Sequence, residues 1–235
     1  MLFVTGDTHG DHDIAKLRWF ASQNLHLTKK DYMIIAGDFG GIWWEKYLEE
    51  DLDKYSKLPW TTLFVDGNHE NFDLINAYPV EQWKGGKVHK IREDILHLMR
   101  GQVFEIEGKR IFTMGGGTSI DKMYRQEGVS WWRQEMITYD DMDEADKNLK
   151  ACGNQVDYII THSCAEKVLP RLRLRDRPSK LKVCLDNVFL STFDPKEEVE
   201  NKKVEYGHWY FGHYHLDQHV DEKHTALYQS IIRLH

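Results

Sequence analysis

The sequence has few cysteines, few prolines and no long hydrophobic run. Its three cysteines among 235 residues, at positions 152, 164 and 184, form no CxxC pair, so they predict neither a disulfide framework nor a thiolate metal site. A reducing, cytoplasmic environment therefore fits best. No stretch approaches the ~20 apolar residues that span a bilayer, and the first residues lack the basic leader of a signal peptide, so we expect no membrane association.

Basic residues are not in excess either: 31 Lys and Arg stand against 38 Asp and Glu, which gives a formal charge of −7. This balance argues against a general nucleic-acid coat and against a binder of anionic membranes. What the chain does have is 41% hydrophobic and 29% charged residues, a composition typical of folded globular proteins. At this length, a single domain over 1–235 is the simplest organisation.

Short apolar runs alternate with helix-like segments in the first part of the chain. The runs are continuous and rich in β-branched or aromatic residues, as in strands buried on both faces. Apolar residues have helical spacing over 13–23, with Asp11 or Asp13 as N-cap, and again over 44–58, which predicts a βαβαβ opening. The five runs are Leu2–Thr5, Tyr32–Ala36, Thr62–Val65, Tyr158–Thr161 and Trp209–Phe211.

The rest of the chain adds a hairpin, a helix and closing strands. Residues 103–106 and 110–114 flank a short turn and predict a β-hairpin. Thr138 is placed to cap a helix over 138–151, whose first turn is acidic and whose last turn is basic. Further short strands are expected at 216–220 and 225–233. These elements predict an α/β fold with a two-layer, mixed β-sandwich core flanked by helices.

Each of the five apolar runs is followed by a side chain that can bind metal. Because ligands bind outside the carboxyl ends of strands in α/β sheets, we expect these side chains to converge. Most follow a glycine, which lets backbone approach closely. Asp, His and Asn donors without thiolate suit hard-to-borderline divalent ions. The blocks are Gly6-Asp7-Thr8-His9, Gly37-Asp38, Gly67-Asn68-His69-Glu70, Thr161-His162 and Gly212-His213-Tyr214-His215.

This ordered set resembles the calcineurin-like metallophosphoesterase family. All five blocks are present and in order over positions 7–215, whereas any one block alone would be weak evidence. The resemblance implies an αββα metallophosphoesterase-like fold and a dinuclear phosphatase or phosphodiesterase, in which a metal-bridging hydroxide attacks phosphorus. It also implies two divalent ions, for which we expect Mn²⁺ first and Fe, Zn²⁺ or Ni²⁺ as alternatives.

The resemblance also implies a role for each matching position. Asp38 would bridge the two ions and offset their repulsion at a separation of roughly 3.5–4 Å. His69, next to Asn68, would be the general acid for the leaving alkoxide, and the competing interpretation is a structural histidine tied to a carboxylate. Glu70 or Asp11 would orient imidazoles. One ion would be held by Asp7, His9 and His215, and the other by Asn68, His162 and His213.

The second block departs from the protein phosphatases that share this pattern. Those enzymes usually continue Gly-Asp-x with Val-Asp-Arg-Gly, whereas this chain reads Gly37-Asp38-Phe39-Gly40-Gly41. The departure favours a nucleotide or other small phosphoester as substrate, with a nucleic-acid end or a phosphoprotein as further options and a protein Ser/Thr phosphatase as the alternative function. A non-catalytic scaffold of the same fold is a remote alternative, because no ligand is missing. The sequence leaves the oligomeric state open.

A glycine triplet and a following basic segment point to the substrate side of the site. Residues 115–117 are all glycine, and we expect them to end a strand where the backbone passes close to the metal centre. Arg125 follows and is the best candidate for contact with a substrate phosphate. Tyr124 and Asn68 are further candidate substrate-binding residues.

Paired tryptophans follow both the second block and the glycine triplet. Trp43-Trp44 and Trp131-Trp132 could stack a base beside the centre, and packing of loops onto the domain is the competing interpretation. The run 167–182, with its four arginines, is either a solvated face or a contact for an anionic substrate. We expect the polar stretch 194–205 to lie at the surface.

Overall fold

Residues 1–174, 180–185 and 204–235 are described in the computed structural model of the chain. They form two mixed β-sheets that pack against each other, with helices on the outer faces. This confirms the expected α/β fold, a two-layer sandwich flanked by helices. Within the described ranges no helix is both long and apolar enough to cross a membrane. The predictions for 194–203, and for the arginines at 175 and 177, lie outside the described residues.

The first sheet has seven strands and a parallel centre. Its members are β1 (Leu2–Thr5), β2 (Tyr32–Ala36), β3 (Thr61–Val65), β4 (Val80–Trp83), β5 (Gly86–Arg92), β6 (Ile95–Leu98) and β13 (Ile231–Leu234). The spatial order is β13-β1-β2-β3-β6-β5-β4. Strands β1, β2, β3 and β6 run parallel, while β13 closes one edge and the β4–β5 pair the other by antiparallel pairing.

The second sheet has six strands. Its members are β7 (Gln102–Ile106), β8 (Lys109–Met114), β9 (Gln155–Thr161), β10 (Glu205–Phe211), β11 (Gln218–Asp221) and β12 (His224–Ala226). The order is β11-β12-β10-β9-β8-β7, with β8, β9, β10 and β12 parallel. The predicted hairpin is confirmed, because β7 and β8 pair antiparallel with Val103 opposite Phe112. In both sheets the carboxyl ends of the central parallel strands therefore lead into loops.

Helices cover the outer faces of both sheets. They are α1 (Ile14–Gln23), α2 (Leu48–Ser56), α3 (Phe72–Asn76), α4 (Tyr139–Ala151) and α5 (Lys180–Leu185). Helix α4 begins as predicted: Thr138 caps it, and the reciprocal bonds between Thr138 and Asp141 form a capping box. Buried apolar residues of α1 and α2 pack on the first sheet, and those of α4 pack on the second.

Apolar side chains fill the space between the sheets. Val4 and Ile34 of the first sheet lie in one cluster with Phe104 and Ile160 of the second. Because strands of the parallel centre are covered on both faces, their side chains are apolar without alternation, which explains the continuous runs in the sequence. The shared layer holds the two sheets together and brings their loop-bearing edges side by side.

The helix predicted over 44–58 is shorter in the structure. It begins at Leu48, after a single 3-10 turn over 45–47, and ends at Ser56. Tyr47, which lies within the predicted helix range, is exposed. Trp44 has an extended backbone, which carries the chain away from the preceding loop before the helix starts.

The strand predicted over 225–233 is two strands in different sheets. The carboxylate of Asp217 accepts hydrogen bonds from three consecutive backbone N–H groups that follow β12, at 2.8–3.0 Å. These bonds fix a turn over 228–230. The turn moves the chain from the second sheet to the edge of the first, where β13 pairs with β1.

Candidate metal centre

The loops that follow five central strands meet at one edge of the sandwich. β1, β2 and β3 contribute from the first sheet, and β9 and β10 from the second. All seven predicted metal ligands lie on these loops, and contacts within hydrogen-bonding or ion-pair distance connect them into one cluster. They are Asp7, His9, Asp38, Asn68, His162, His213 and His215.

Asp38 lies at the middle of this cluster and is 1% exposed. Its Oδ2 is 3.4 Å from Nε2 of His9, and its Oδ1 is 3.3 Å from Nε2 of His162. Oδ1 also accepts a hydrogen bond from the backbone N–H of His69 at 2.7 Å. Each oxygen of this buried carboxylate therefore faces a different imidazole.

The donors on the His9 side form a compact group. The ligand atoms of Asp7, His9 and His215 all lie within 4.8 Å of one another. Oδ2 of Asp7 is 3.2 Å from Nε2 of His215, and Oδ1 accepts the backbone N–H of His213 at 3.0 Å. Two imidazoles and a carboxylate thus converge without a thiolate, a donor set that suits a borderline divalent ion.

The donors on the other side converge on His162. Its Nε2 is 3.1 Å from Oδ1 of Asn68 and 3.2 Å from Nδ1 of His213. Its Nδ1 lies 3.0 Å from the backbone carbonyl of Ala36, which fixes the ring and directs Nε2 into the cluster. The ligand atoms of Asp7, Asp38 and His162 also lie within 4.8 Å of one another.

The charge of the cluster fits a cation. Asp7 and Asp38 are almost fully buried, and among the described residues their carboxylates form ion pairs only with imidazoles. Burial opposes protonation of His162 and His9, yet the Asp38 carboxylate raises the pKa of His162 to about 10 and that of His9 to about 9. Positive charge is therefore favoured here, and a divalent ion would supply it by replacing protons.

Backbone strain accompanies four of the ligands. His9, Asp38, His213 and His215 have φ angles of 43°, 47°, 70° and 51°. This left-handed region is uncommon for residues other than glycine and costs of order 1–3 kcal/mol per residue. Surrounding structure must hold these residues in place, because an isolated chain would relax to negative φ.

Glycines permit the close approach of backbone to the ligands. A Cβ atom on Gly67 would lie 2.0 Å from Oδ1 of Asp38, and one on Gly212 would lie 2.1 Å from Oδ1 of Asp7. Gly117, in the triplet after β8, has its Cβ position 3.0 Å from Oδ1 of Asn68. The sequence prediction that these glycines pass close to the centre is confirmed.

The acid that orients His9 is Asp13, not Asp11 or Glu70 as predicted. Oδ2 of Asp13 is 2.8 Å from Nδ1 of His9, and its Oδ1 accepts from the hydroxyl of Tyr228 at 2.9 Å. Asp13 holds the N-cap position of α1 without capping it, since both of its carboxylate oxygens are used here. Asp11 instead pairs with a lysine at the surface.

Glu70 supports the second loop rather than an imidazole. Its buried carboxylate accepts the backbone N–H groups of Phe39 at 2.6 Å and of Gly40 at 3.3 Å. Burial and the nearby Asp38 raise the pKa of Glu70 to about 8. The contact fixes the residues directly after Asp38, so Glu70 acts on the backbone of the centre.

A buried chain of hydrogen bonds leads to Asn68 and was not predicted. Nδ2 of Asn68 donates to the hydroxyl of Ser119 at 3.4 Å, and Ser119 donates to the buried carboxylate of Glu135 at 2.7 Å. This arrangement leaves the amide oxygen of Asn68 directed at His162. Nothing in the sequence marks Ser119 or Glu135, because Ser119 lies 51 residues from Asn68 and Glu135 is linked to Asn68 only through Ser119.

His69 and Arg125 lie against each other beside the centre. The guanidinium of Arg125 is 3.3 Å from Nδ1 and 3.5 Å from Nε2 of His69, and Asp121 holds Arg125 at 2.8 Å. Among the described residues no carboxylate contacts the ring nitrogens of His69, so the interpretation as a histidine tied to a carboxylate is wrong. Burial lowers the pKa of His69 although Asp38 opposes this. Tyr124 is 91% exposed.

A cleft of about 420 Å³ opens beside the centre, and His9 is the ligand that lines it. His69, Trp43 and Trp44 line the same cleft. Trp132 is instead buried, where its indole N–H donates to Asp73 at 2.7 Å, so for this residue the packing interpretation is confirmed. In the basic run, Arg171 pairs with Asp221.

The model of the calcineurin-like phosphoesterase family matches residues 2–217 of the 235. The chain belongs to this family, which confirms the resemblance carried by its strand-end blocks. The family implies a metal-dependent phosphoesterase, and the two groups of converging donors are candidate metal-binding sites. No curated protein matches the chain.

Proposed function

We propose that this protein is a dinuclear, metal-dependent phosphoesterase that hydrolyses a phosphomonoester or phosphodiester, with a nucleotide or another small phosphoester as substrate. The observation that carries the proposal is the position of Asp38. Each of its carboxylate oxygens faces an imidazole of a different donor group, at 3.4 and 3.3 Å. A carboxylate between two cation sites offsets the repulsion of the cations, which a single-ion centre would not need.

The seven converging residues divide into two ligand sets. We assign Asp7, His9 and His215 to one ion and Asn68, His162 and His213 to the other, with Asp38 shared. Mn²⁺ is our first choice, and Fe, Zn²⁺ or Ni²⁺ can use the same oxygen and imidazole donors. When bound, such ions activate water as a nucleophile and neutralise the phosphoryl oxygens.

The chain's own residues supply proton transfer and positioning. His69 lines the cleft, and its ring nitrogens contact no carboxylate among the described residues, so it can donate a proton to the leaving alkoxide. Arg125 lies against His69 and can pair with a phosphoryl oxygen through its planar fork. Because Asp121 holds Arg125, the guanidinium needs little ordering when a phosphate enters.

The cleft favours a small, partly aromatic substrate. Its volume of about 420 Å³ holds a mononucleotide-sized molecule, and Trp43 and Trp44 offer ring faces for stacking a base. A phosphoprotein would have to present a phosphorylated side chain to this cleft, and a nucleic acid its phosphorylated end. Protein phosphatase activity is therefore the alternative function, and the experiment below tests it as a second arm with a phosphopeptide.

Turnover of aryl phosphoesters by chelated protein reloaded with Mn²⁺ tests the proposal. We expect metal-dependent hydrolysis of a nitrophenyl mono- or diester, and of at least one nucleotide in a panel that also contains a phosphopeptide. Metal content is measured on the same samples. Absence of turnover on every ester, with the protein binding fewer than one ion per chain, would contradict the proposal; preference for the phosphopeptide would favour the second arm.

A further inference from the structure

A second cavity, of about 390 Å³, lies away from the metal cleft. Strands β5 and β6, helix α3 and the first turns of α4 surround it, and it shares no lining residue with the cleft beside the metal centre. Phe72, Met99 and Met136 give it apolar walls. His89 lines it as well and is only 6% exposed, so a buried imidazole faces this space.

His89 ends a chain of buried hydrogen bonds. The carboxylate of Asp66 is 3.1 Å from Nε2 of His97, and Nδ1 of His97 is 2.9 Å from Nδ1 of His89. The two histidines are opposite each other on β5 and β6, and their rings stack at 5.2 Å. Asp66 is also held by Arg100, whose Nε donates to it at 2.9 Å.

The nitrogen that carries each hydrogen follows from the acceptor at the start of this series of hydrogen bonds. Nε and Nη2 of Arg100 both donate to Oδ2 of Asp66, and Oδ1 of Asp66 accepts from Nε2–H of His97. The other nitrogen of His97, Nδ1, then accepts from Nδ1–H of His89. Nε2 of neutral His89 is left with a lone pair. No described residue donates to it, and burial lowers the pKa of His89 to about 4, which keeps the ring neutral at pH 7.

The other charges on the cavity wall are mostly paired. Lys87 lies 2.7 Å from Glu144, and Arg100 is occupied by Asp66 and Asp141. Asp140 also lines the cavity but forms no ion pair with any described residue. Among the ionisable groups on the wall, the His89 nitrogen and the Asp140 carboxylate are the ones left without an ion-pair or hydrogen-bond donor in the described residues, and both are acceptors. An anion would find no unpaired cation here.

We propose that this cavity is a second ligand site, which takes a small organic cation with N–H donors and an apolar body, held by Nε2 of His89 and the carboxylate of Asp140. The apolar walls contact the body of the ligand, and the two acceptors accept hydrogen bonds from its N–H groups. The proposal does not depend on the metal centre.

Benzamidine, a flat amidinium of suitable size, is the probe. In ¹⁵N spectra of the histidine rings, Nε2 of His89 should be unprotonated in the free protein and should shift on addition of benzamidine. Calorimetry should show binding that His89→Phe and Asp140→Asn each weaken by about tenfold or more, since each removes one hydrogen bond to a cation. Asp140 is exposed, so that variant tests the site even if His89→Phe does not fold.

Two controls separate this site from others. Benzoate has the same shape with the opposite charge and should bind at least tenfold more weakly. His26→Phe changes an exposed histidine and should leave the affinity for benzamidine unchanged, with or without Mn²⁺. A protonated Nε2 on His89 in the free protein, equal affinity in Asp140→Asn, or equal affinity for benzoate would each overturn the proposal.

Discussion

Asp38 has the most constrained side chain of the centre. Its carboxylate is buried, contacts two imidazoles and accepts a backbone N–H, and its own backbone is left-handed. Asparagine tolerates left-handed φ better than most residues and matches the shape of aspartate. Asp38→Asn therefore removes the charge with little disturbance of the backbone.

Asp38→Asn should lose metal from both proposed positions and lower turnover by about 100-fold or more, because each ion loses its shared anionic ligand. Metal content per chain and kcat/KM measure this. Asp11→Asn, which changes an exposed carboxylate on the wall of the same cleft, should keep its full metal content. Loss of a single ion from Asp38→Asn would contradict the bridge.

His69→Ala should depend on the leaving group. General acid catalysis contributes about 10²–10⁴-fold, and a leaving group as stable as nitrophenolate needs little of it. We expect a loss of at least about 100-fold on alkyl phosphoesters and a much smaller loss on nitrophenyl esters. Rates across a series of leaving groups measure the difference. Equal losses throughout the series would assign His69 to positioning.

At the scale of elements, the segment between β8 and α4 supports the centre without contributing a ligand. It supplies Ser119 and Glu135 to the chain of bonds that ends at Asn68, and Arg125 to the contact with His69. Arg100, which follows β6, donates to the backbone carbonyls of 134–136 and to Asp66. The segment is thereby attached to the loop that carries Asn68.

Ser119→Ala should weaken metal binding by about tenfold while the fold is kept, because supporting hydrogen bonds of this kind typically contribute 10–100-fold to metal affinity. Titration of the metal into the protein, measured by calorimetry, gives the affinity. Ser130→Ala, on the same segment but bonded only within it, is the matched control and should bind metal normally. Unchanged affinity in Ser119→Ala would show that Asn68 needs no support from this segment.

The loop after β3 depends on the absence of a side chain at Gly67. In Gly67→Ala the new Cβ would overlap Oδ1 of Asp38, and both the carboxylate and the backbone N of Asp38 would have to move. We expect loss of metal and a clear drop in the free energy of unfolding. Gly108→Ala meets no atom within 4 Å and has a positive φ, so it should cost about 1–2 kcal/mol and keep its metal. Normal metal content in Gly67→Ala would contradict this account.

The sequence predicted the elements that deliver ligands far better than those that support them. Strands β1, β2, β3, β9 and β10 show as apolar runs because both faces are covered. Strands β4 and β5 were not predicted, because their apolar residues are sparse and mixed with charged and polar ones. Strand β6 and helix α3 were missed because they are only 4 and 5 residues long. The seven ligands follow strands and share a family pattern, whereas Ser119 contacts Asn68 across 51 residues and Glu135 reaches it only through Ser119. Asp13 is only four residues from His9, but its position before α1 also suits an N-cap.

At the scale of the whole molecule, the centre lies across the two sheets. Asp7, Asp38 and Asn68 come from the first sheet, and His162, His213 and His215 come from the second. The shared apolar layer positions the sheets, and at this edge polar groups of the two sheets contact each other. Bound ions would therefore link the sheets at the end of the sandwich where the apolar layer stops.

Metal removal should therefore lower the melting temperature. A ligand that binds only the folded state stabilises it by about 2.7 kcal/mol at 100 times its dissociation constant, so the melting temperature should rise steadily with Mn²⁺ concentration. Scanning calorimetry with and without chelator measures the shift. In Asp38→Asn the same titration should give a much smaller rise. A melting temperature of the unaltered protein that does not change with Mn²⁺ concentration would contradict binding between the sheets.

The left-handed backbone at His9, His213 and His215 has an evolutionary consequence. Glycine and asparagine occupy this region with less strain than histidine, so a lineage released from the need for metal would gain stability by drifting toward them. Histidine at such angles is favoured only while its imidazole is used. Among relatives of this fold, the residues at these three positions should thus distinguish catalytically active proteins from inactive ones before any assay.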